Sequence, residues 1–136
     1  MDKNKEALIA FYSKCLTVND GANVGELMNE ILADDFVSYG SADSKTKEQL
    51  IGQVGFFRKI VPDLKWEPQE LIIEGDKYVV RSIAGGTPNG DFMGLPTDGT
   101  RSFSIMTIDV HTIADGKIKA VHHLEDWGTA MKQLKP

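Results

Sequence analysis

The sequence has little that would support disulfides, nucleic-acid binding or membrane insertion. Its 136 residues include a single cysteine, Cys15, so the chain cannot form an internal disulfide. Basic residues are in deficit, with 15 Lys and Arg against 20 Asp and Glu and a formal net charge of -5. Because nucleic-acid binding depends on basic side chains that neutralise phosphates, we expect no nucleic-acid partner. No apolar run approaches the ~20 residues of a membrane-spanning helix, so we expect no membrane insertion.

Motifs for secretion and for common cofactor chemistries are also missing. Residues 1–12 lack the long apolar stretch and cleavage site of a secretory signal, which predicts a cytoplasmic protein. The sequence contains no GxSxG, P-loop or GxGxxG motif, and three histidines without a cysteine cluster do not predict a metal site. The composition, with 41% hydrophobic and 26% charged residues, is that of a globular protein. We expect a single domain over residues 1–136.

The first half of the chain has the hydrophobic periodicity of helices. Apolar residues at offsets of three and four predict a helix over residues 5–16, which Asn19-Asp20-Gly21 would break. A second helical pattern covers residues 24–32 and ends near Asp34-Asp35, before a short strand at residues 36–39. The capping oxygens of Ser44 and Thr46 predict a third helix, which Pro62 stops.

After Pro62 the periodicity changes to the alternation of strands. Turn dipeptides at Gly75-Asp76, Asn89-Gly90, Asp98-Gly99 and Asp115-Gly116 predict an antiparallel meander. Helices followed by strands indicate an α+β fold in which three N-terminal helices cover one face of a curved antiparallel sheet.

The hairpin over residues 65–84 places a charged pair among apolar residues. A two-residue turn at Gly75-Asp76 puts Glu70 opposite Arg81, on the same face as Leu64, Trp66, Ile72, Val79 and Ile83. We take this apolar face as the core side, so the two charges are predicted to form an inward ion pair. The pair could orient a polar ligand, although the structural interpretation, in which the two charges satisfy each other, is preferred.

The hairpin over residues 103–127 depends on its loop length, because a slip of one residue exchanges the faces. A three-residue loop, Ala114-Asp115-Gly116, groups Met106, Ile108 and Val110 with Ile118, Ala120 and Leu124, and sends Asp109, His111, Lys117, Lys119 and Glu125 to the opposite face. If the apolar set faces the core, Thr112, His122 and Asp126 point inward, whereas His123 and Trp127 point outward.

This register makes Asp126 and His122 the candidate catalytic residues. They lie roughly 13 Å apart on one strand face and could line two ends of one cavity. Apolar surroundings would raise the pKa of the Asp126 carboxyl, so that it could take and return a proton. The alternatives are that Asp126 merely ends the strand and that His122 is a buried, hydrogen-bonded core residue. Tyr39 could offer a phenol to the same cavity or to a loop.

Ordered sequence segments resemble the SnoaL-like polyketide cyclases and their ester-cyclase relatives. These segments are Pro62-Asp63-Leu64, GDKYVVR (75–81), Gly86-Thr87, GDFMGLPTDGTR (90–101), DGKI (115–118), Asp126 and Gln133-Leu134. The resemblance spans nearly the whole chain. It implies a nuclear transport factor two-like fold, a cone of bent antiparallel sheet around three helices that encloses one apolar pocket, and it usually implies a homodimer.

The resemblance also implies an activity. In these cyclases an acid near the end of the last strand acts as general acid/base in an intramolecular aldol closure without a cofactor, and Asp126 matches that position. Several positions depart from the family pattern: Pro88 and Tyr39 stand where His is frequent, Thr112 where a basic residue or His is usual, and His122 where Trp is frequent. The polar partners of the acid are therefore rearranged.

These features predict an enzyme that needs no cofactor and acts on a small hydrophobic carbonyl compound. Asp126 would abstract a proton next to the carbonyl, His122 would orient or share it, and Tyr39 or Arg81 would stabilise the enolate oxygen. The remaining expected substrate-binding residues are Glu70, Phe57, Trp66, Met106 and Thr112. The alternatives are a non-catalytic binder of a hydrophobic molecule and a dimerisation module. A homodimer is expected through the outer sheet face, where Phe103, Ile105, Val121 and Trp127 are placed.

Overall fold

The computed structural model describes residues 2–18 and 23–136, so the break predicted at Asn19-Asp20-Gly21 lies outside the described residues. The described helices are α1 (Lys3–Ala10), which continues as a π-helical segment (Phe11–Cys15), α2 (Val24–Ile31), α3 (Lys47–Ile60) and α4 (Trp127–Leu134). The three N-terminal helices agree with the prediction, whereas α4 was missed. No helix in this part of the chain is both long and apolar enough to cross a membrane.

Local sequence explains where α3 begins. The Thr46 side chain accepts a hydrogen bond from the Gln49 backbone N–H, and the Gln49 side chain accepts one from the Thr46 backbone N–H. This reciprocal capping satisfies two donors that the first turn of a helix otherwise leaves unpaired. At the other end, Pro62 follows the C-cap residue Val61 and cannot continue the helix. The fixed ends of α3 set which of its side chains face the sheet.

Among residues 2–18 and 23–136, six strands form one sheet and two more form a separate hairpin. The strands are β1 (Leu32–Tyr39), β2 (Ser44–Thr46), β3 (Lys65–Glu74), β4 (Lys77–Gly86), β5 (Asn89–Phe92), β6 (Leu95–Asp98), β7 (Phe103–Ala114) and β8 (Lys117–Glu125). The main sheet has the order β2-β1-β8-β7-β4-β3, and β5 pairs with β6. The predicted α+β class with a curved sheet is confirmed, and a cone shape is consistent with it. The sheet is mixed, because β1 runs parallel to β8.

The sheet has an inner face towards the helices and an outer face away from them. Along β7 burial alternates strictly, and Phe103, Ile105, Thr107, Asp109, His111 and Ile113 are buried on the inner face. Met106 and Ile108 lie on the outer face and are 52% and 43% exposed. The hydrophobic core lies between the inner face and the helices, as the buried residues of α1, α2 and α3 pack against those of the strands.

The predicted orientation of the last hairpin is therefore wrong. Asp115 and Gly116, at φ 55° and 72°, form a two-residue turn, because Ala114 pairs with Lys117. The register shifts between Ile113 and Thr112. Beyond this shift, most residues of the two strands share a sheet face with the residues predicted to lie beside them. The sides are reversed, however: Thr112 and His122 point outward, and His123 and Trp127 contact the cavity described below. Ile118 is fully buried on the inner face.

A bulge in β3 makes the β3–β4 hairpin differ from its prediction. Glu70 pairs with Arg81 as predicted, but the register shifts between Pro68 and Glu70. The extra residue in β3 rotates the strand, so Trp66 points to the inner face while Glu70 points to the outer face. The ion pair is thus on the outer face rather than in the core, and Ile72 and Ile83 are exposed beside it.

Candidate functional site

A half-open cavity of about 170 Å³ lies between the inner sheet face and the helices. Most of its lining is apolar or aromatic, including Phe11, Leu50, Val54, Phe57, Trp66 and Trp127. Trp66 is held in place by a 3.0 Å hydrogen bond from its indole Nε1 to Thr107 Oγ1. The polar lining residues are Ser38, Gln53, Asp109, His123 and Glu125. Concave apolar sites with a few polar groups are the usual form of small-molecule sites.

Three of these polar side chains are clustered on β7 and β8. Asp109 and His123 are directly opposed in the antiparallel ladder, and Glu125 follows His123 on the same face of β8. Glu125 Oε2 lies 2.7 Å from His123 Nδ1. Since Nδ1 is held by the carboxylate, Nε2 is the imidazole nitrogen left for a ligand.

Asp109 is also hydrogen-bonded to Tyr12, which in turn contacts His111. The Tyr12 hydroxyl, on the π-helical segment, donates to Asp109 Oδ2 at 2.5 Å and lies 2.7 Å from His111 Nε2. The hydroxyl has one proton and gives it to Asp109, so His111 donates from Nε2 and its Nδ1 is the unprotonated nitrogen. That Nδ1 is buried and has no hydrogen-bond partner among residues 2–18 and 23–136. Only Tyr12 bonds to the Asp109 carboxylate in the same set, which leaves Oδ1 for a ligand.

Burial and neighbouring charges shift the pKa values of this cluster. Desolvation raises the pKa of Asp109 from 3.8 to about 7, although the Tyr12 hydrogen bond and His123 act in the opposite direction. The hydrogen bond to Glu125 raises the pKa of His123 above its ordinary value. Burial lowers the pKa of His111 to about 3, so His111 is neutral at physiological pH. Asp109 is thus poised to gain or lose a proton near neutral pH, next to an imidazole whose pKa is raised.

Asp126, expected as the catalytic acid, does not face the cavity. It is the N-cap of α4, where its carboxylate accepts hydrogen bonds from the Thr129 hydroxyl at 2.6 Å and the Thr129 backbone N–H at 3.2 Å. These bonds lower the pKa of Asp126, the reverse of the expected shift. The structure places this carboxylate at the solvent-exposed start of a helix, in the capping role that Asp commonly fills.

His122 and Tyr39 lie together, but on the outer face. Their rings are stacked with centroids 4.6 Å apart at an interplanar angle of 15°. The two residues are neighbours in the parallel pairing of β1 and β8. Tyr39 is 39% exposed, and neither residue lines the cavity.

The remaining predicted residues are divided between the two faces. Phe57 and Trp66 line the cavity as expected. Arg81 and Glu70 form their ion pair at 3.1 Å on the outer face, where both are substantially exposed. Met106 is on that face as well, and Thr112 accepts a hydrogen bond there from Lys77.

Sequence reasoning missed Asp109, His123 and Glu125 because it assigned their face to solvent. Strand alternation did place residues 107, 109 and 111 on one face of β7, and residues 123 and 125 on one face of β8. The signal that could have identified the face is the continuation of this alternation to the apolar residues Phe103, Ile105 and Ile113. No group of three His, Cys, Asp or Glu residues suited to a metal ion occurs within the described ranges.

Comparison with known families decides the classification. A sequence model described as SnoaL-like polyketide cyclase matches residues 6–134. The chain belongs to this family. Family membership supports small-molecule binding and a role of the cyclase or isomerase type. Comparison with curated proteins returned no match.

Solved structures share the fold of this SnoaL-like protein. A candidate SnoaL-like polyketide cyclase from Jannaschia sp. CCS1 is 22% identical with a TM-score of 0.85, over 98% of this chain and 94% of the other. The candidate polyketide cyclase IdmH from Streptomyces antibioticus is 23% identical with a TM-score of 0.81, over 98% and 99% of the two chains. One from Bacillus cereus ATCC 10987 is 26% identical with a TM-score of 0.72, over 96% of this chain and 77% of the other.

Proposed function

We propose that this SnoaL-like protein is an enzyme that catalyses proton abstraction next to a carbonyl group, without a cofactor, on a small hydrophobic compound bound in the inner cavity. Cyclisation and isomerisation both proceed through the enolate that such a step forms. The observation that carries the proposal is the direct opposition of Asp109 and His123 on the wall of an otherwise apolar cavity.

Asp109 is the general base of this proposal. Its pKa of about 7 makes the carboxylate a stronger base than an ordinary Asp while leaving a large ionised fraction at neutral pH. The Tyr12 hydrogen bond holds Oδ2, so Oδ1 takes the proton from the substrate carbon. The electron pair of that C–H bond forms the C=C bond of the enolate, and the π pair of the C=O bond moves onto the oxygen. The protonated Asp109 later returns the proton, to a carbon in an isomerisation or to the new alkoxide oxygen in an aldol cyclisation.

His123 supplies the positive charge that the enolate oxygen needs. Its raised pKa favours the protonated imidazole, and the Glu125 bond to Nδ1 leaves Nε2–H to donate to a ligand. A preorganised donor at a developing oxyanion in a dry site is worth about 3 kcal/mol. Glu125 does not contact the substrate in this scheme and is a positioning residue.

Deuterium exchange at the carbon next to a ketone tests this step without knowledge of the natural substrate. We would incubate the protein with 1-tetralone, a bicyclic ketone, in D2O and follow loss of the α-proton signal by NMR. Exchange above the buffer rate is expected, and Asp109→Asn should lower it at least about 100-fold. Asp126→Asn, which changes a carboxylate outside the cavity, is the matched control and should retain the wild-type rate.

Two results would contradict the proposal. One is exchange no faster than in buffer, and the other is exchange that survives Asp109→Asn. Trp66 and Trp127, the two tryptophans of the chain, both line the cavity, so their fluorescence reports binding directly. Quenching by 1-tetralone without exchange would favour the alternative of a non-catalytic binding protein.

We further propose that the protein forms a homodimer through an outer apolar surface, defined by Ile72, Ile83, Met106, Ile108 and Leu124. These residues are 54%, 42%, 52%, 43% and 64% exposed and lie on adjacent strands β3, β4, β7 and β8. The residues first expected at this interface, Phe103, Ile105, Val121 and Trp127, are instead on the inner side. The side chains of the outer apolar surface flank the Glu70–Arg81 ion pair, and an exposed sheet face with this many apolar side chains is suited to burial against a second copy related by a two-fold axis.

Sedimentation at micromolar concentration tests the dimer. Ile108→Lys places a charge at the centre of the outer apolar surface and should shift a dimeric wild type to the monomer. Ile9→Lys is the control, because Ile9 is 57% exposed on α1, away from this surface. A monomeric wild type, or a dimer that Ile108→Lys leaves intact, would contradict the assignment.

A further inference from the structure

Two hairpins have turns of the same backbone geometry but different sequence. Asp115 and Gly116, between β7 and β8, have φ values of 55° and 72°. Met93 and Gly94, between β5 and β6, have φ values of 54° and 87°. Two successive residues with positive φ define the type I′ turn, for which Asn-Gly and Asp-Gly are the favoured pairs. The β7–β8 turn satisfies this preference, whereas the β5–β6 turn places an unbranched apolar side chain in the left-handed region.

The packing of Met93 in the free protein does not compensate for this strained position. Its side chain is 57% exposed, while the preceding residue, Phe92, is only 2% exposed. Left-handed backbone for a residue other than Gly, Asn or Asp is energetically costly. A polar residue at position 93 would therefore suit both the turn and the solvent better than methionine does.

The position of Met93 suggests what its side chain does. Met93 is a lining residue of the cavity that also contains Asp109 and His123, and it is contributed by the separate β5–β6 hairpin rather than by the main sheet. The hairpin is anchored, because the Phe92 ring lies 5.4 Å from the rings of Phe57 and Phe103. Asp91 Oδ1 also accepts a 2.8 Å hydrogen bond from the Gly94 backbone N–H at the tip. Met93 is thus held at the cavity edge by a fixed hairpin.

We propose that Met93 is a specificity-determining residue that covers the outer end of a ligand in the cavity and selects for an apolar, ring-bearing group there. The thioether is flexible and polarisable and makes favourable contacts with aromatic rings, so it can adapt to a ring without offering a hydrogen bond. This inference rests on the proposed function to the extent that the same cavity is the binding site. It adds that the end of the ligand nearest to solvent is apolar and carries a ring.

Three variants separate backbone strain from ligand contact. Met93→Asn supplies a favoured turn residue and removes the apolar side chain, so it should raise the midpoint of thermal unfolding by roughly 2–5 °C. Asp115→Met introduces the same mismatch into the other turn and should lower the midpoint by a similar amount. Met93→Leu keeps an apolar side chain of similar size, so the midpoint should stay close to that of the wild type. A midpoint that Met93→Asn lowers would overturn the claim of uncompensated strain.

Binding is measured with 1-tetralone by quenching of the fluorescence of Trp66 and Trp127. Met93→Asn should raise the dissociation constant about fivefold, which corresponds to loss of about 1 kcal/mol of apolar contact. Asp115→Met should stay within about twofold of wild type, and Met93→Leu, which keeps an apolar contact but loses the thioether, should weaken binding less than Met93→Asn does. Unchanged affinity in Met93→Asn would refute the role of Met93.

Acrylamide quenching makes the test independent of that ligand. If Met93 covers the cavity mouth, Met93→Asn should increase quenching of the two tryptophans, while Asp115→Met should not. Absence of 1-tetralone binding to wild type would count against the proposed function, whereas equal acrylamide quenching of wild type and Met93→Asn would count against the role of Met93.

Discussion

Replacing Asp109 by Asn should stabilise the protein at alkaline pH while it removes the base. The Asp109 side chain is 4% exposed, and burial raises its pKa from 3.8 to about 7. Above pH 7 the folded protein must therefore carry a buried carboxylate that the unfolded chain would leave in water. Asn has nearly the same shape, can still accept the Tyr12 hydrogen bond and carries no charge.

The magnitude follows from linkage between protonation and folding. Between about pH 4 and pH 7 the folded state retains the Asp109 proton that the unfolded state has released, so this group lowers stability as pH rises. At 1.36 kcal/mol per pKa unit, the shift corresponds to about 4 kcal/mol at pH 8. The pKa of about 7 already includes the opposing effects of the Tyr12 hydrogen bond and of His123. We expect Asp109→Asn to be about 2–4 kcal/mol more stable than wild type at pH 8.

The assay is urea unfolding of wild type and variant at pH 4.5 and pH 8, followed by tryptophan fluorescence. Comparing the two proteins cancels the opposite contribution of His111, whose lowered pKa makes stability rise with pH between about 3 and 6.5. The free-energy difference should be small at pH 4.5 and large at pH 8. A difference that is the same at both pH values, or a variant less stable at pH 8, would refute the description of Asp109 as a buried acid.

Three further predictions concern the neighbours of Asp109 and the frame of the fold. Glu125→Gln removes the main interaction that raises the pKa of His123, so the alkaline limb of the pH profile for 1-tetralone exchange should move to lower pH. Tyr12→Phe removes the hydrogen bond that lowers the pKa of Asp109, so the acidic limb of that profile should move to higher pH. Lys47 is 4% exposed and donates to two backbone carbonyls near the end of α2, so Lys47→Met should lower the unfolding free energy by about 1–3 kcal/mol in urea titrations.

The secondary structure was largely predictable because local sequence determines it. Helix caps, hydrophobic periodicity and the turn dipeptides Gly75-Asp76 and Asp115-Gly116 correctly indicated the N-terminal helices and the later strands. The turn predicted at Asn89-Gly90 is wrong, because these residues lie in β5 and the turn falls at Met93-Gly94. α4 was missed because its eight residues follow the last strand directly, and its N-cap, Asp126, was interpreted as a catalytic acid. The mixed character of the sheet was unpredictable from local pattern, since the parallel pairing of β1 with β8 joins segments far apart in sequence.

The inner face of β7 was predicted incorrectly for a physical reason. Its apolar residues Met106, Ile108 and Val110 were assigned to the core, and its polar residues Asp109 and His111 to solvent. In the structure the polar residues are buried, where the Tyr12 hydroxyl hydrogen-bonds with Asp109 Oδ2 and His111 Nε2 from another element, 97 residues away in sequence in the case of Asp109. Such a partner cannot be inferred from strand alternation, so the more apolar face was wrongly identified as the inner one.

Two adjacent histidines on opposite faces of β8 provide the most direct test of the inner cavity as the catalytic site. His123 lines the cavity, whereas His122 stacks on Tyr39 outside it. The measurement is the rate of 1-tetralone α-proton exchange in D2O for His123→Gln and His122→Gln. We predict that His123→Gln lowers the rate by about 100-fold or more and that His122→Gln leaves it unchanged. Loss of exchange in His122→Gln with activity retained in His123→Gln would place the chemistry on the outer face and contradict the account.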